Sequence, residues 1–469
     1  MARETFIKLS PTNGKALCTV ARSRAKDVLA AINSAKLAQP AWASLPAVQR
    51  GELLFKVAIS MRDKREEIAR IVALETGKSF KDALAETDGA VALGMFMAGE
   101  GRRLYSRTLT SGVPNKFSFT VRQPLGVAGL IIAANTPIAN VAWKAFPALI
   151  CGNAAVMKAA EDTPATAWIF AKITHEAGLP AGVFNVIQGY GEEAGAPLVE
   201  SNDVDIISFT GSTEVGRIIA KAAGERLAKV FLELGGKNPL VVCDDADLEN
   251  AAKWVILSAF SNAGQRCASA TRIIIFDVIY NNFKKMLIEK TKQLKVGASD
   301  GDDLGPVINE TQLNNMLAAV ALAEKEGSTI LTGGRRLTGP DHADGYFMAP
   351  TIIENVLPKA DISIKELFGP ITCLYRVQGF AEALELANDS PYGLTSCIHT
   401  KNLDRAMEFS QKVQSGVTMV NAGTYGSEPH MPFGGVKQSG NGLREPGTEA
   451  LDVYSEIKNI CIVSDPGNL

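Results

Sequence analysis

The sequence predicts an α/β protein with two Rossmann-like parallel-sheet lobes and a small β-strand oligomerisation arm. Short apolar runs alternate with helical patterns from Gly126 onward, and the alternation restarts near Phe231. Such alternation is typical of a parallel sheet that is covered by helices on both faces. The chain has 469 residues, which is too many for one hydrophobic core and favours two or three lobes.

Helical patterns come first, over about residues 25–105. The segments 23–46 and 47–78 carry apolar residues at helical spacing. Residues 116–126 then alternate between apolar and polar side chains, which predicts an exposed pair of strands. The first parallel sheet is expected directly afterwards, because strands that are buried on both faces read as short apolar runs.

The first lobe is predicted from four apolar runs and the helical patterns beside them. The predicted strands are residues 127–135, 154–160, 182–189 and 205–212. The predicted helices are residues 140–152, 163–178, 192–202 and 213–227. The second of these helices starts at Thr163-Pro164 and has Gly178 near its end, which are common helix positions for proline and glycine.

The second lobe and the C-terminal tail continue this pattern. The predicted strands are residues 237–245, 271–276 and 416–421, and the predicted helices are residues 247–262 and 278–294. The tail, residues 451–464, is predicted to be a terminal strand. Together with residues 116–126 it would form an arm that pairs with the sheet edge of another subunit.

Composition and charge exclude several classes of protein. The net charge is −2 and the pI is about 6.2, so no basic surface for nucleic acid or an anionic membrane is expected. The N-terminus carries no apolar run of the kind found in secretion signals. Seven cysteines without paired spacing are typical of free thiols in a reducing compartment, which predicts a cytoplasmic protein. Four scattered histidines predict no metal site.

One cysteine, Cys267, lies between a helical pattern and a strand-like run. A free cysteine is usually a small buried hydrophobe, and that is the alternative to catalysis here. The small neighbours Gly264, Ala268 and Ser269 would let a substrate approach the thiol closely. The adjacent Arg266 would favour the thiolate if its side chain points towards the sulfur.

Three further motifs have glycine where the chain turns tightly. Glu233 precedes a double glycine, where it is either a solvated strand end or an acid–base group at a domain junction. Gly211 and Ser212 follow a predicted strand and open a helix, a position whose free N–H groups favour phosphate. An ordinary helix cap is the alternative for Ser212. Residues 189–195 match the dinucleotide fingerprint only in part, and a tight turn explains them equally well.

In their order along the chain, these motifs resemble those of the NAD(P)-dependent aldehyde dehydrogenase superfamily. The ordered set comprises Asn135, Lys158, FTGSTEVG (209–216), LELGGKNP (232–239), GQRC (264–267), ELFGP (366–370) and PFGGVKQSGNG (432–442). The resemblance covers essentially the whole chain. Residues 428–456 look similar to members that oxidise semialdehydes of dicarboxylic acids, such as 2-oxoglutarate semialdehyde.

The resemblance implies an oxidation that runs through a covalent intermediate. Cys267 would be the nucleophile, and it would form first a thiohemiacetal and then an acyl-thioester. The side-chain amide of Asn135 and the backbone N–H of Cys267 would hold the oxyanion. Glu233 would activate the water that hydrolyses the thioester.

The resemblance also implies a dinucleotide site. Lys158 would bind the adenosine ribose, and the carboxylate of Glu161 would accept hydrogen bonds from the ribose hydroxyls. The same carboxylate would repel a 2′-phosphate, which favours NAD over NADP. The alternative for Glu161 is an ordinary acidic residue at a helix start. Ser212 would contact the pyrophosphate, and Glu366 and Phe368 would position the ribose and the nicotinamide.

The expected substrate side departs from the family pattern. Ala134 and Thr136 replace the usual tryptophan and phenylalanine beside Asn135, while Trp143 retains one aromatic face. Asn140, one helical turn further along, adds an amide. Together these residues predict a pocket that is roomier and more polar than a fatty aldehyde needs.

A second substrate-facing segment is predicted at residues 421–435. It offers three hydroxyls for a polar or carboxylate-bearing tail, on Thr424, Tyr425 and Ser427. A turn-rich surface loop is the alternative for this segment. Arg266, beside the nucleophile, would add positive potential for such an anion. Glu445 matches a glutamate that lies on a proton or water path in some members, and a helix-end salt bridge is the alternative.

The resemblance divides the chain into domains and leaves other functions open. The implied division is an NAD-binding domain at 1–115 and 127–232, a catalytic domain at 233–422, an oligomerisation arm at 116–126 and 450–469, and a substrate loop with its return segment at 423–449. The arm implies a homodimer or a homotetramer.

A coenzyme A-acylating enzyme is the nearest alternative function, although such enzymes generally lack a base like Glu233. A non-catalytic structural protein on the same fold and a cofactor-free cysteine hydrolase are the others.

Overall fold

The computed structural model describes residues 4–465 and 467. The first elements are β1 Thr5–Leu9, β2 Ala16–Ala21, α1 Ala25–Ser44, α2 Ala47–Asp63, α3 Arg65–Thr76, α4 Phe80–Gly99, β3 Thr108–Leu109 and β4 Lys116–Pro124. The helical prediction for this region is confirmed, although the pattern over 47–78 is divided at Lys64 into two helices. The hairpin of β1 and β2 was not predicted; its strands are mostly exposed, although β2 is largely apolar in sequence.

The first lobe contains a five-stranded parallel sheet. Its elements are β5 Val127–Ile131, α5 Pro137–Ile150, β6 Ala154–Lys158, α6 Pro164–Glu176, β7 Phe184–Ile187, α7 Ala196–Glu200, β8 Ile206–Thr210, α8 Thr213–Glu225 and β9 Lys229–Glu233. The strand order is β7–β6–β5–β8–β9. The four predicted strands are confirmed, and β9 is a fifth. A π-helical turn, Gly191–Gly195, precedes α7, so the α-helix predicted at 192–202 is shorter than expected.

The second lobe contains a seven-stranded sheet. Its elements are β10 Asn238–Val242, α9 Leu248–Phe260, β11 Ala270–Phe276, α10 Asp277–Lys292, α11 Glu310–Lys325, β12 Thr329–Thr332, β13 Thr351–Glu354, α12 Asp361–Ile364, β14 Ile371–Val377, α13 Phe380–Asn388, β15 Tyr392–Gly393, β16 Thr395–His399, α14 Leu403–Lys412 and β17 Val417–Val420. The order is β12–β13–β14–β11–β10–β16–β17, and only β12 runs antiparallel to its neighbour. The three predicted strands are confirmed. Strands β12, β13, β14 and β16 were not predicted; β16, for example, is fully buried although it contains threonine, serine and histidine.

The C-terminal segment forms β18 Val436–Lys437, α15 Ala450–Val453 and β19 Ser455–Val463. Strand β19 pairs antiparallel with β4 along the full length of both strands, and β3 pairs with the other edge of β4. The predicted terminal strand is therefore confirmed. The prediction of two strands within 116–126 is wrong, because β4 continues without a turn along the whole of β19.

Both main sheets are buried on their two faces, as expected for parallel sheets. An α/β protein with two Rossmann-like lobes is therefore confirmed. In the first sheet, Asn135 follows the carboxyl end of β5, and Lys158 and Glu233 end β6 and β9. In the second sheet, Cys267 and Glu366 precede the amino ends of β11 and β14. None of the described helices combines the length and the apolarity that crossing a bilayer requires.

Candidate active site

Two cavities meet at Cys267. The α8 cavity, named after the helix that begins in it, has a volume of about 450 Å³ and is lined among others by Glu161, Gly211, Ser212, Glu233, Glu366 and Phe368. The α4 cavity has a volume of about 360 Å³ and is lined among others by Lys78, Glu86, Arg266, Tyr425 and Ser427. Both contain Asn135, Trp143, Cys267 and Phe433. A broader groove of about 1170 Å³ on the second lobe contains none of the site residues predicted from the sequence.

The segment between α9 and β11 reverses the chain over three successive residues. Asn262, Ala263 and Gly264 have φ angles of 55°, 53° and 66°, in the left-handed region. Glycine adopts this region without a steric penalty. At Gly264 a Cβ atom would also lie 2.1 Å from the carbonyl oxygen of Gly369, so two separate constraints require glycine there. After this turn, Cys267 lies where the two cavities meet.

Cys267 is partly exposed at this junction. Its carbonyl oxygen accepts a 2.7 Å hydrogen bond from Nδ2 of Asn238, which connects the segment around Cys267 to β10. Burial raises the pKa of the Cys267 thiol, and the carboxyl groups of Glu233 and Glu366 raise it further. The N–H of Ala268 acts in the opposite direction. A raised pKa favours the protonated thiol, so the thiolate would form only if a base took this proton.

Asn135 presents its side-chain amide to both cavities. Its Nδ2 donates to the carbonyl oxygen of Gln265 at 3.1 Å. Its Oδ1 accepts from Nδ2 of Asn140 at 3.4 Å. Because an amide nitrogen carries two hydrogens, one N–H of Asn135 is left for a ligand near Cys267.

A buried ion pair supports Asn135 from the α4 side. Nζ of Lys78 lies 2.6 Å from Oε2 of Glu86 and donates to the carbonyl oxygen of Asn135 at 3.0 Å. Oε1 of Glu86 accepts from the N–H groups of Ile138 and Ala139 at 3.0 and 3.3 Å. These N–H groups belong to the first turn of α5, where a carboxylate is favoured by the helix dipole.

Sequence reasoning missed Lys78 and Glu86. The signal that points to Glu86 is its position on α4, three residues after the buried Ala83 and four before the buried Ala90. A carboxylate within a buried helical stripe requires a partner. No comparable pattern marks Lys78, which lies in the short connection between α3 and α4.

Glu233 ends β9 and lines the α8 cavity. Both of its carboxylate oxygens are buried and have no hydrogen-bond partner among the described residues. Burial raises the pKa of Glu233 well above its usual range; Lys144 opposes this increase and Glu445 adds to it. A carboxyl group with a raised pKa is suited to exchanging protons near neutral pH.

The start of α8 fits a bound phosphate. Oγ of Ser212 accepts from the N–H of Val215 at 3.3 Å, which leaves other first-turn N–H groups for a ligand. Gly211 precedes it, and a Cβ atom there would lie 2.4 Å from the ring of Phe209. The helix dipole adds to the attraction of an anion at this position.

Charged side chains lie further along the same cavity. Nζ of Lys158 is 2.6 Å from Oε2 of Glu161, and Lys158 is buried while Glu161 is partly exposed. Oε1 of Glu366 accepts from the N–H of Gly236 at 3.0 Å. Burial raises the pKa of Glu366 to about 7, and the Gly236 N–H and Lys237 oppose this increase.

These features fit a dinucleotide. The helix start suits its phosphates, and the carboxylates of Glu161 and Glu366 suit its ribose hydroxyls. Phe368, with a left-handed φ of 55°, supplies an apolar ring to the same cavity. Within residues 4–465 and 467, no three His, Cys, Asp or Glu side chains gather closely enough to hold a metal ion.

The α4 cavity combines aromatic rings with one unpaired cation. The guanidinium of Arg266 lies 4.9 Å from the ring centroid of Tyr425, and the rings of Trp143 and Phe433 pack 5.5 Å apart. Nε of Arg266 is buried and has no hydrogen-bond partner among the described residues. Lys78 is paired with Glu86, so Arg266 is the cation of this cavity that has no ion-pair partner among the described residues; Asp82 and Glu428 also line the cavity.

Three predicted residues make other contacts than expected. Thr424 is fully buried and its hydroxyl donates to the carbonyl oxygen of Ala268 at 2.5 Å, so it holds the loop in place rather than facing a cavity. Asn140 lines the α8 cavity, and its amide is bonded within the chain rather than free for a substrate tail. Glu445 lies outside both cavities and forms a buried ion pair with Lys144 at 3.1 Å.

Known proteins that are similar to this chain in sequence and those that are similar in structure belong to the same family. The family described as "Aldehyde dehydrogenase family" matches residues 1–460. The chain is 40% identical over 445 residues to alpha-ketoglutaric semialdehyde dehydrogenase of Bacillus subtilis, covering 94% of this chain and 91% of that protein. It is 37% identical over 462 residues to an aldehyde dehydrogenase of Emericella nidulans, covering 97% and 91%. The crystal structure of betaine aldehyde dehydrogenase from Staphylococcus aureus in complex with NAD+ superimposes with a TM-score of 0.97 at 34% identity, covering 99% of this chain and 92% of that one.

Proposed function

The chain belongs to the aldehyde dehydrogenase family, and we propose that it oxidises an aldehyde to the carboxylate through a covalent intermediate on Cys267, with NAD as the cofactor. The observation that carries this proposal is the convergence of three groups at one point. Cys267 and Asn135 line both cavities, and Glu233 lines the α8 cavity that fits a dinucleotide. A nucleophile, an oxyanion donor and a base thus surround the position of a reacting carbon.

The first step is attack by sulfur. Glu233 or a water molecule takes the proton of the Cys267 thiol, and the thiolate adds to the aldehyde carbon to give a thiohemiacetal. The carbonyl oxygen becomes negatively charged. The free N–H of the Asn135 amide and the backbone N–H of Cys267 stabilise this charge as it develops.

When bound, NAD accepts the hydride that leaves the former aldehyde carbon. The protein's part is to hold the dinucleotide: the start of α8 with Ser212 binds its phosphates, and Glu161 and Glu366 bind its ribose hydroxyls. Glu233 then takes a proton from a water molecule, whose oxygen attacks the thioester carbon. The C–S bond breaks, the carboxylate leaves, and Cys267 regains its proton.

The Lys158–Glu161 ion pair supports a preference for NAD over NADP. Glu161 places a carboxylate at the rim of the α8 cavity, held by Lys158 at 2.6 Å. A ribose with a free 2′-hydroxyl would donate to this carboxylate, whereas a 2′-phosphate would be repelled by it.

The α4 cavity supports a substrate whose far end carries a carboxylate. Arg266 holds the free positive charge there, and Tyr425 and Ser427 add hydroxyl groups. The relative from Bacillus subtilis is named for such a semialdehyde, which agrees with this chemistry. We therefore propose semialdehydes of dicarboxylic acids as the substrate class.

The test is the rate of NAD reduction by the purified protein across matched aldehydes. Succinate semialdehyde is paired with butanal and 2-oxoglutarate semialdehyde with 4-oxopentanal, so that each pair differs mainly in the carboxylate group. The acidic member of each pair is expected to react more efficiently, and Cys267→Ala to be inactive with all four. Faster reaction of the neutral members would refute the substrate class and leave the chemistry standing. Activity of Cys267→Ala would refute the mechanism.

Arg266→Leu provides a second arm of this test. Removing a charged hydrogen-bond donor is expected to lower kcat/KM for the acidic aldehydes about 10- to 100-fold and to change the neutral ones much less. The exposed Arg102, replaced by leucine in the same way, is the matched control. Accumulation of an acyl thioester only when coenzyme A is added would instead favour the acylating alternative.

We also propose that the sheet of β19, β4 and β3 joins subunits into a homodimer or a homotetramer. Its side chains include Phe117, Ile457, Ile462 and Val463, which are exposed apolar residues. An exposed apolar strand surface of this kind is usually covered by a partner. Light scattering on the purified protein tests this, and a monomer at micromolar concentration would contradict it.

A further inference from the structure

Asn140 is a buried amide on an otherwise apolar helix, one turn after Asn135. Its side chain is 7% exposed, and most of its neighbours on α5 are buried apolar residues. Its Nδ2 donates to the carbonyl oxygen of Thr136 at 3.0 Å and to the hydroxyl of Thr136 at 3.2 Å. It also approaches Oδ1 of Asn135 at 3.4 Å.

Two backbone carbonyls fix the orientation of both amides. A carbonyl oxygen only accepts hydrogen bonds, so the Asn140 atom beside the Thr136 carbonyl must be the nitrogen. For the same reason, the Asn135 atom that faces the Gln265 carbonyl at 3.1 Å must be its nitrogen. The oxygen of Asn135 is thereby directed to the nitrogen of Asn140.

The main chain of Asn135 is held separately. Its carbonyl oxygen accepts from Nζ of Lys78 at 3.0 Å and from Nδ2 of Asn262 at 3.2 Å. With the backbone fixed, the remaining freedom of Asn135 is rotation of its amide group. The contact that restrains the oxygen side of this amide comes from Asn140.

We propose that Asn140 is a positioning residue that holds the Asn135 amide with its free N–H directed at the substrate oxygen. This inference rests on the proposed role of Asn135 as the oxyanion donor. Without Asn140, the oxygen of Asn135 loses its donor, only the Gln265 carbonyl still holds the amide, and the amide samples more of the rotations in which the free N–H misses the oxyanion. Such misalignment lowers the rate of the first chemical step without removing a substrate contact.

The test compares Asn140→Leu, Asn135→Ala and the double variant in single turnovers. Loss of an oxyanion donor is expected to slow the first turnover about 100- to 1,000-fold in Asn135→Ala. Asn140→Leu is expected to slow it roughly 10-fold and to leave the half-saturating aldehyde concentration within about 2-fold of wild type, since only alignment is lost. The double variant is expected to be no slower than Asn135→Ala, because Asn140 acts through Asn135.

Two controls separate positioning from folding. Asn185→Leu removes a partly buried amide of the first lobe, one that also donates to two main-chain carbonyls, those of Ala155 and Gly182, and is expected to leave the first turnover unchanged. Asn140→Ser repeats the measurement with a small polar side chain if the leucine variant does not fold.

Four outcomes overturn the proposal. A raised half-saturating concentration with an unchanged rate would make Asn140 a substrate contact. Additive effects in the double variant would make its role purely structural. A wild-type rate for Asn135→Ala would remove the oxyanion role on which the inference rests, while an inactive Cys267→Ala would still support the nucleophile. Conversely, if Asn135→Ala is slow and Asn140→Leu is not, only the positioning inference fails.

Discussion

Nζ of Lys78 lies 2.6 Å from a carboxylate oxygen of Glu86, and both side chains are almost completely buried. The pair connects the α3–α4 junction to the first turn of α5 and to the backbone of Asn135. A buried pair of this kind is costly to break, because the remaining partner keeps its charge without compensation.

Lys78→Met is therefore expected to destabilise the protein by about 3–5 kcal/mol, as measured by urea denaturation at fixed protein concentration. The double variant Lys78→Met/Glu86→Leu removes both charges and is expected to recover much of this loss. Lys81→Met, at an exposed position in the first turn of α4, serves as the control. A double variant that is less stable than Lys78→Met would show that the ion pair is not what Lys78 contributes.

Glu161→Gln is expected to shift the cofactor preference towards NADP. The substitution removes the negative charge at the rim of the α8 cavity and frees Lys158, which then attracts a 2′-phosphate. The ratio of kcat/KM for NADP to that for NAD is expected to rise about 10-fold or more, corresponding to roughly 1.4 kcal/mol of removed repulsion. Glu225→Gln, at the exposed end of α8, is the control. An unchanged ratio would mean that the adenosine ribose binds elsewhere.

The pH dependence of turnover is expected to report the raised pKa of Glu233. Only the ionised carboxylate accepts a proton from water, so activity is present above this pKa and is lost as the pH falls through it. Burial places the pKa well above the usual glutamate range, and the acidic limb of the profile shifts with it. In Glu233→Gln, turnover is expected to fall about 100- to 10,000-fold, and the acidic limb of the pH profile is expected to disappear.

Glu192→Gln, an exposed glutamate of the first lobe, controls for changes in overall charge. Mass spectrometry of Glu233→Gln after mixing with aldehyde and NAD is expected to detect an acyl group on Cys267. A normal acidic limb in Glu233→Gln would assign the titration to another group.

The sequence was informative where a residue's environment is set by its own element. Strands β5, β6, β8 and β10 read as apolar runs because both of their faces are buried. The same reasoning failed for β16, because its Thr, Ser and His side chains are buried through contacts that other segments provide. The N-terminal hairpin was also missed: most residues of its two strands are exposed, although β2 is largely apolar in sequence.

The candidate site shows the same division. Cys267 and Glu233 lie beside the ends of predicted elements, whereas Asn135 was identified through the family resemblance. The loop at 421–435 has no periodicity, so the sequence does not tell which of its hydroxyls faces a cavity: Tyr425 does, and Thr424 is buried and donates to the carbonyl oxygen of Ala268. The Lys78–Glu86 pair depends on the packing of α4 against α5, which no local pattern encodes.

Gly264 links the segment around Cys267 to the segment that carries Glu366, and this link is testable. Its φ of 66° is left-handed, and a Cβ atom would lie 2.1 Å from the carbonyl oxygen of Gly369. Gly264→Ala therefore combines backbone strain with a backbone clash, and we expect a loss of about 1–3 kcal/mol in the free energy of unfolding. Because Gly369 follows Phe368 directly, we also expect the KM for NAD to rise. Gly224→Ala is the matched control: it is helical, a Cβ atom there meets nothing within 4 Å, and it is expected to stabilise α8 slightly. Equal stability of the two variants would show that the turn at Gly264 can relax without disturbing either segment.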